Sequence, residues 1–145
     1  MAGLLNVGEM GALALHVMVE LAVLKEQDSE ARRTAQELAD GLHASVHTLQ
    51  KVIRRLVLAG LVEGARGANG GVRLTGEAAS VSMLQVLESV EGPIRANGCL
   101  FSKRVCPENG QCRFHCMTGE MEQSIRNYFI KTTIADLCAD ASRNA

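Results

Sequence analysis

Hydrophobic residues recur three and four positions apart along most of the chain, and this spacing predicts a mainly α fold. The first such stretch covers residues 7–24, and no proline interrupts it. Shorter stretches with the same spacing follow at residues 34–41, 46–59 and 81–90. A last one extends over residues 117–141 and predicts one long C-terminal amphipathic helix. Its apolar face favours a homodimer in which a second copy covers that face, and the alternative is packing within the same chain, on the first helix.

The second and third predicted helices form a pair joined by a tight turn. Thr34 and Glu37 have the spacing of a capping box that starts the second helix, and Gly41 is expected to end it. Ser45 is expected to cap the third helix, whose exposed side is polar and basic. Such a pair is typical of a helix-turn-helix, in which the second helix enters the DNA major groove. The candidate DNA-binding residues on this helix are Ser45, His47, Thr48, Gln50, Lys51, Arg54 and Arg55.

A glycine-rich hairpin is predicted directly after the helix pair. Residues 61–63 and 71–75 have the composition of short strands, and Asn-Gly-Gly at residues 69–71 favours a tight turn. Arg66 near the tip is expected to enter the DNA minor groove, and Arg73 is expected to contact phosphates. The sequence therefore predicts a winged helix-turn-helix DNA-binding domain that binds double-stranded DNA.

Charge and composition narrow the class of protein. The net charge of −1 argues against nucleic-acid binding, but residues 31–75 carry seven Lys or Arg residues and only three Asp or Glu residues. The 145 residues, 47% of them hydrophobic, suit one compact domain with an appendage. Glu9, His16 and Glu20 interrupt the apolar start, so neither a secretory signal nor a membrane span is expected. We therefore expect a cytoplasmic protein that does not contact a membrane.

Four cysteines and one histidine lie within eighteen residues: Cys99, Cys106, Cys112, His115 and Cys116. Glycine and proline between them predict a loop. In a reducing compartment, clustered cysteines are more often metal ligands or redox sensors than disulfides. Soft thiolates with an imidazole suit a metal ion or an iron–sulfur cluster.

The chain is thus expected to have three parts. These are a winged helix-turn-helix domain (residues 1–94), a cysteine-rich cluster-binding loop (95–116), and a dimerisation helix and tail (117–145). The fifth cysteine, Cys138, is expected to be a small buried hydrophobic residue on the last helix.

Three other classes of protein are weighed against this interpretation. A zinc-stapled interaction module usually shows tight pairs of cysteines two residues apart, which this loop lacks. An electron-transfer protein would show ferredoxin spacings and would not need a wing. An enzyme is not expected, because the sequence has no phosphate-binding loop, dinucleotide fingerprint or nucleophile elbow.

Several motifs in order make the chain similar to a known family. They are TAQELA at 34–39, LVLAGLV at 56–62, RGANGG at 66–71, LESVEGP at 87–93 and TTIADL at 132–137. With them the chain resembles the Rrf-two family of bacterial winged-helix regulators, which includes IscR-type and NsrR-type iron–sulfur sensors. The resemblance implies a homodimer that is crossed by its long C-terminal helices and binds a near-palindromic operator. It also implies an iron–sulfur cluster, with a 2Fe-2S cluster favoured over 4Fe-4S.

The resemblance also suggests ligands for the cluster. IscR-type members use three cysteines and a histidine three residues after the last, and Cys99, Cys106, Cys112 and His115 match this pattern, with one extra residue between the first two cysteines.

Other branches of the family take a carboxylate or histidine from the first helix of the partner subunit. Glu9 and His16 are the alternatives of this kind, although Ala12 occupies the usual acidic position. Cys116 is an additional thiol that neither pattern requires.

The expected function is that of a transcription regulator, typically a repressor, whose operator binding depends on a cluster that senses iron, redox state or nitric oxide. Two alternatives remain open. One is a cluster-free family member that acts through a thiol switch or a partner protein, and the other is the zinc-stapled module.

Overall fold

The computed structural model describes residues 7–95 and 115–144, and it confirms a mainly helical winged fold. Within these residues the elements, in order, are α1 (Glu9–Gln27), α2 (Ala35–Leu42), α3 (Val46–Leu58), β1 (Val62–Ala65), β2 (Gly71–Leu74), a short 3₁₀ helix (Ala78–Ser80), α4 (Met83–Glu91), α5 (His115–Lys131) and α6 (Ile134–Asn144). The elements before residue 95 lie close to the predicted ranges.

Helix α1 is the centre of the hydrophobic core. It is apolar around most of its circumference, and Ala14, Val17 and Met18 are fully buried. Helices α3, α4 and α6 and strand β2 all pack against it. A helix that is apolar on several faces is stable only when it is enclosed, so the other elements assemble around α1.

The helix pair forms as predicted at its start and differs at its turn. The Thr34 amide donates to Glu37 Oε2 at 2.7 Å, and the Glu37 amide donates to Thr34 Oγ1 at 3.2 Å, so the capping box is confirmed. The prediction that Gly41 ends α2 is wrong, because the helix continues to Leu42. His43 then adopts the left-handed conformation (φ 52°) that the turn requires and that glycine usually supplies.

The wing is a two-stranded antiparallel hairpin tied to the start of α2. Val62 pairs with Leu74, and Ala65 pairs with Gly71. Arg33 exchanges backbone hydrogen bonds with Val72 at 3.0 and 2.8 Å. Gly71 has φ 124°, and a Cβ there would lie 2.7 Å from the Arg33 carbonyl oxygen, so only glycine fits this contact.

The C-terminal segment is two helices rather than the one long helix that the apolar spacing predicts. Helix α5 ends at Lys131 and α6 begins at Ile134. Between them the Thr133 amide donates to Asp136 Oδ2 at 2.8 Å, and the Asp136 amide donates to Thr133 Oγ1 at 3.2 Å. This reciprocal cap starts a new helix at the point where the predicted one was expected to continue.

The break between α5 and α6 directs α6 back onto the core. The Ile134 amide donates to the Val81 carbonyl at 2.9 Å, and Ile134 is fully buried. Cys138 is buried against α1, with its Sγ 3.9 Å from the Val19 carbonyl oxygen. Burial raises the pKa of the Cys138 thiol, in keeping with the small hydrophobic residue that the sequence predicts. Helix α6 therefore belongs to the core of its own chain. Of the two C-terminal helices, α5 is the one whose described residues include large exposed apolar side chains.

None of the helices in the described part of the chain is long and apolar enough to cross a membrane.

Candidate nucleic-acid interface and metal-binding segment

Helix α3 has one buried side and one exposed side. Leu49, Val52 and Leu56 are fully buried in the core. The predicted DNA-binding residues lie outside the core: Ser45, His47, Gln50, Lys51, Arg54 and Arg55 are exposed and Thr48 is half-buried. At the helical repeat, His47, Lys51 and Arg54 fall on one stripe, so α3 presents a polar, basic surface of the width that a major groove accepts.

Leu58 extends this stripe and is 79% exposed. Sequence analysis did not assign it a role. The signal that identifies it is its position eleven residues after His47, which places it on the same side of the helix.

The guanidinium of Arg55 is engaged within the protein. Its Nη1 donates to the carbonyl of Val90 in the last turn of α4. Arg55 is one of the candidate DNA-binding residues that the sequence gives. That contact stays a prediction, because the residue is exposed and this hydrogen bond uses only one of its five N–H donors.

Arg73 is also paired within the protein. Its Nε lies 2.5 Å from Glu63 Oε1, and its Nη1 lies 2.7 Å from Glu30 Oε2. The two carboxylates raise the pKa of Arg73, and the hydrogen bond from Arg73 lowers the pKa of Glu63. Arg73 keeps its positive charge, but the two carboxylates offset it, which disfavours a contact with phosphate; the phosphate contact that the sequence predicts stays a prediction.

Two exposed arginines lie in or beside the wing. Arg66 directly follows β1 and is exposed at the glycine-rich turn, as predicted. Arg33 is exposed immediately before the capping residue of α2, and its backbone is hydrogen-bonded to β2. Sequence analysis did not select Arg33, and the local signal for it is a cation beside the N-terminus of a helix-turn-helix.

A cleft of about 580 Å³ separates the start of α2 from the wing turn. Arg32, Thr34, Glu37 and Asn69 are among its lining residues. The Thr34 hydrogen bonds lower the pKa of Glu37, so its carboxylate stays charged in this cleft. Two acidic residues, Glu30 and Glu37, line the cleft and make it a poor site for an anion.

The predicted metal ligands fall mainly outside the described residues. Cys99, Cys106 and Cys112 lie there, and His115 and Cys116 are the first two residues of α5. The alternative ligands Glu9 and His16 are both exposed on α1. Residues 7–95 and 115–144 contain no group of three metal-ligating side chains.

The residue that precedes the cysteine-rich segment is firmly held. Ile94 is fully buried beside Leu84 and Leu87. Its amide donates to Glu88 Oε1 at 3.1 Å, and its carbonyl accepts from Arg126 Nη1 at 3.0 Å. Arg126 also pairs with Glu88 at 2.6 Å, so the segment starts at a point fixed to both α4 and α5.

The helix pair, the hairpin wing and the exposed basic face define a winged-helix DNA-binding protein. Residues 8–140 match the sequence profile of the Rrf2 family, described as an iron-dependent transcriptional regulator. The chain belongs to this Rrf-two (Rrf2) family and is a transcriptional regulator.

Individual relatives agree with this assignment. The chain is 28% identical to the HTH-type transcriptional repressor NsrR of Streptomyces coelicolor over 127 residues, which cover 88% of this chain and 84% of the relative. It is 25% identical to the HTH-type transcriptional regulator IscR of Vibrio parahaemolyticus over 130 residues, which cover 90% and 75%. The relatives are transcription regulators and not enzymes.

Solved structures of other proteins have the same fold as this chain. CymR, the global cysteine regulator of B. subtilis, matches with a TM-score of 0.71 and 22% identity, covering 92% of this chain and 95% of CymR. At that identity the likeness supports the fold alone.

Proposed function

We propose that the chain reads an operator through the exposed side of α3 and the wing. The observation that carries the proposal is the division of α3 into a fully buried apolar side and an exposed polar, basic side. His47, Thr48 and Gln50 lie at its N-terminal end, where recognition helices contact base edges. Ser45 precedes them at the N-cap position of α3. Its side chain makes no capping hydrogen bond, unlike the cap that the sequence predicts, and its proposed contact is to phosphate.

Phosphate contacts come from a smaller set of cations than the sequence alone suggests. Lys51 and Arg54 remain exposed on α3, and Arg33 adds a cation at the start of α2. Arg66 at the wing turn is placed for the minor groove, where a narrow groove attracts guanidinium groups. Arg55 and Arg73 are held by partners in the protein and are excluded from this set.

We further propose that the cysteine-rich segment binds an iron–sulfur cluster, favouring 2Fe-2S. The donor set fits such a group, because three thiolates and an imidazole are ligands that iron–sulfur centres accept. Cys99, Cys106, Cys112 and His115 are the proposed ligands, with His16, Glu9 and Cys116 as alternatives for the fourth position. When bound, the cluster supplies a change of charge and ligation that responds to iron, redox state or nitric oxide.

The side chains in the described part of the chain support this location. Ile94 fixes one end of the segment to α4 and α5, and α5 begins at the other end. Both exposed alternatives, Glu9 and His16, lie on α1, where a second subunit can reach them. A fourth ligand from α1 of the partner would join the two subunits, whereas His115 would complete the site within one chain.

The third part of the proposal is a homodimer through α5. Met117 and Tyr128 are 40% and 65% exposed, and they share one side of α5 with the half-buried Met121 and Ile125. The adjacent side of α5 is held to α4 through Phe129 and Arg126. A second copy of α5 is the partner that would cover this apolar stripe symmetrically.

Anaerobic purification followed by spectroscopy and metal analysis tests the cluster. A coloured protein that contains iron and sulfide supports the proposal. A colourless protein that contains zinc supports the zinc-stapled module, and a metal-free protein whose DNA binding depends on thiol oxidation supports the thiol switch.

Among reconstituted variants, His115→Ala is expected to lose visible absorption faster than His16→Ala or Cys116→Ala. If His16→Ala loses its absorption and His115→Ala does not, the ligand from the partner's α1 replaces the single-chain site.

A further inference from the structure

The last turn of α4 contacts three other parts of the molecule. The Val90 carbonyl accepts from Arg55 on α3. The Glu88 carboxylate accepts from Arg126 on α5 and from the amide of Ile94. Glu91 joins the same turn to α1. This turn lies directly before the cysteine-rich segment.

The contact between Arg55 and Val90 follows from how α4 ends. The last carbonyls of a helix have no amide partner within the helix, and they carry the negative end of its dipole. Gly92 leaves the helix with φ 80°, and the Ile94 amide donates to Glu88 instead of returning to the Val90 carbonyl. Arg55 therefore supplies a charged donor to a carbonyl at the end of α4, which stabilises the orientation of α3 against α4.

The contact between Glu88 and Arg126 joins this turn to α5. Arg126 Nη1 lies 2.6 Å from Glu88 Oε1 and 3.0 Å from the Ile94 carbonyl oxygen. Both side chains are largely buried, with exposed fractions of 29% and 30%. A displacement of Ile94 or of α5 therefore acts on Glu88, which is two residues from the carbonyl that holds Arg55.

The contact with α1 anchors the same turn at a third point. Glu91 Oε1 accepts from the amide of Gly8 at 3.0 Å and from the amide of Gly11 at 2.7 Å. A Cβ at Gly11 would lie 3.1 Å from this oxygen, so the close approach depends on glycine. The turn is therefore held to the core, and a shift at Glu88 is expected to appear as a rotation of the turn rather than as free movement.

We propose that Arg55 is a positioning residue for the recognition helix, and that the Glu88–Val90 turn transmits changes at Ile94 and Arg126 to α3. This inference rests on the proposed DNA reading by α3. It assigns to Arg55 an effect on DNA affinity without contact with DNA, and it connects the start of the cysteine-rich segment to the DNA-reading surface through described residues alone.

Operator affinity measured against salt concentration tests the role of Arg55. An operator duplex is first obtained by selection with the wild-type protein. A plot of log affinity against log salt concentration has a negative slope. Lys51→Ala should make this slope less steep by about 0.9, as expected for one lost phosphate contact. Arg55→Ala should weaken binding about fivefold to tenfold and leave that slope unchanged, because it alters helix position. A slope reduced as much as in Lys51→Ala would make Arg55 a phosphate contact and overturn its positioning role.

A double-mutant cycle on the same duplex tests the transmission. Arg126→Ala alone should weaken binding about threefold to tenfold, and it should have little further effect when Arg55→Ala is present. If the double variant loses affinity by the product of the two single losses, the two residues act independently and the proposed transmission is wrong. Glu88→Gln disturbs the same contact with a nearly isosteric side chain. It is used in place of Arg126→Ala if thermal unfolding shows that the Arg126→Ala variant does not fold.

The control is Lys25→Ala, which removes the ion pair with Glu77 at the far end of α1 and should leave affinity unchanged. A wild-type protein that selects no operator would overturn the proposed DNA reading and this inference together. If the wild-type protein selects an operator but the affinity losses of Arg55→Ala and Arg126→Ala are independent, only the proposed transmission is wrong.

Discussion

Helices α3 and α5 are both amphipathic, but their exposed sides differ in chemistry. Helix α3 buries Leu49, Val52 and Leu56 completely within its own chain. Its exposed side is mainly polar and basic, with Val57 and Leu58 as exposed apolar residues at its C-terminal end. Helix α5 leaves apolar side chains such as Met117 and Tyr128 in solvent. When the apolar side of a helix is already buried in its own chain, a basic exposed side is suited to bind a polyanion. An apolar side that is not buried is suited to bind another protein surface. The comparison supports the proposals that α3 binds DNA and that α5 binds a second copy of the chain.

Truncating the buried side of α3 should give the largest effect. Leu56→Ala leaves a cavity in the core, and we expect it to lower the free energy of unfolding by about 2–5 kcal/mol. Lys51→Ala on the exposed side of the same helix should change the free energy by less than about 0.5 kcal/mol. Urea unfolding of both variants measures the contrast, and equal losses would contradict the division of α3 into a core side and a DNA side.

A charge on the apolar stripe of α5 should break the dimer without unfolding the chain. Tyr128→Glu places a carboxylate in the proposed interface, and we expect the dimer dissociation constant to rise about a hundredfold. Asn127→Glu, an exposed neighbour off the stripe, is the matched control and should leave the constant unchanged within about threefold. Sedimentation equilibrium gives both values. A wild-type protein that is monomeric at micromolar concentration would remove α5 as a dimer interface.

Side chains on the exposed side of α3 should divide into those that read bases and those that hold phosphates. An amide side chain can bond an adenine edge at two points, so Gln50→Ala should cost about 1–3 kcal/mol of discrimination at one operator position. Lys51→Ala should instead weaken all sequences alike. Operator selection with each variant makes the distinction. An unchanged preferred sequence for Gln50→Ala would exclude this residue from base reading.

The smallest effect is expected at the turn between α5 and α6. Thr133→Ala removes the cap of α6 and should lower the free energy of unfolding by about 0.5–2 kcal/mol. The Thr133 hydrogen bonds lower the pKa of Asp136, so their stabilisation is present above the unfolded-state pKa and is lost as pH falls through the folded-state value. The difference between wild type and variant should therefore shrink below about pH 4. Thermal unfolding against pH measures it, and a difference that grows on acidification would contradict the cap.

The contrast between the two helices also explains what the sequence could predict. Helix α3 is bounded by Ser45 and Gly60, and glycines punctuate the wing, so local signals define both elements. The apolar spacing of α5 continues past Lys131, so periodicity alone could not reveal the break, although the Thr133–Asp136 spacing is a local capping signal. His43 was equally hidden, because a left-handed turn residue is usually glycine or asparagine.

The roles of Arg55 and Arg73 depend on partners that are distant in sequence. Arg55 bonds a carbonyl thirty-five residues away, and Arg73 pairs with Glu30 forty-three residues away. From the sequence, a basic residue on a predicted DNA-binding surface is expected to be able to bind phosphate. Only the structure shows whether a distant partner within the protein already binds it. Periodicity identifies the surface, but only the tertiary structure identifies which of its charges remain free.

The central proposal, that a cluster in the cysteine-rich segment controls DNA binding by α3, is tested most directly by one measurement. Fluorescence anisotropy under anaerobic conditions gives the affinity of cluster-loaded and cluster-free wild-type protein for the same selected operator. We expect the two dissociation constants to differ by at least about fivefold, the lower end of typical coupling between two sites. Equal constants for loaded and cluster-free protein, with the cluster intact throughout the titration, would contradict the claim.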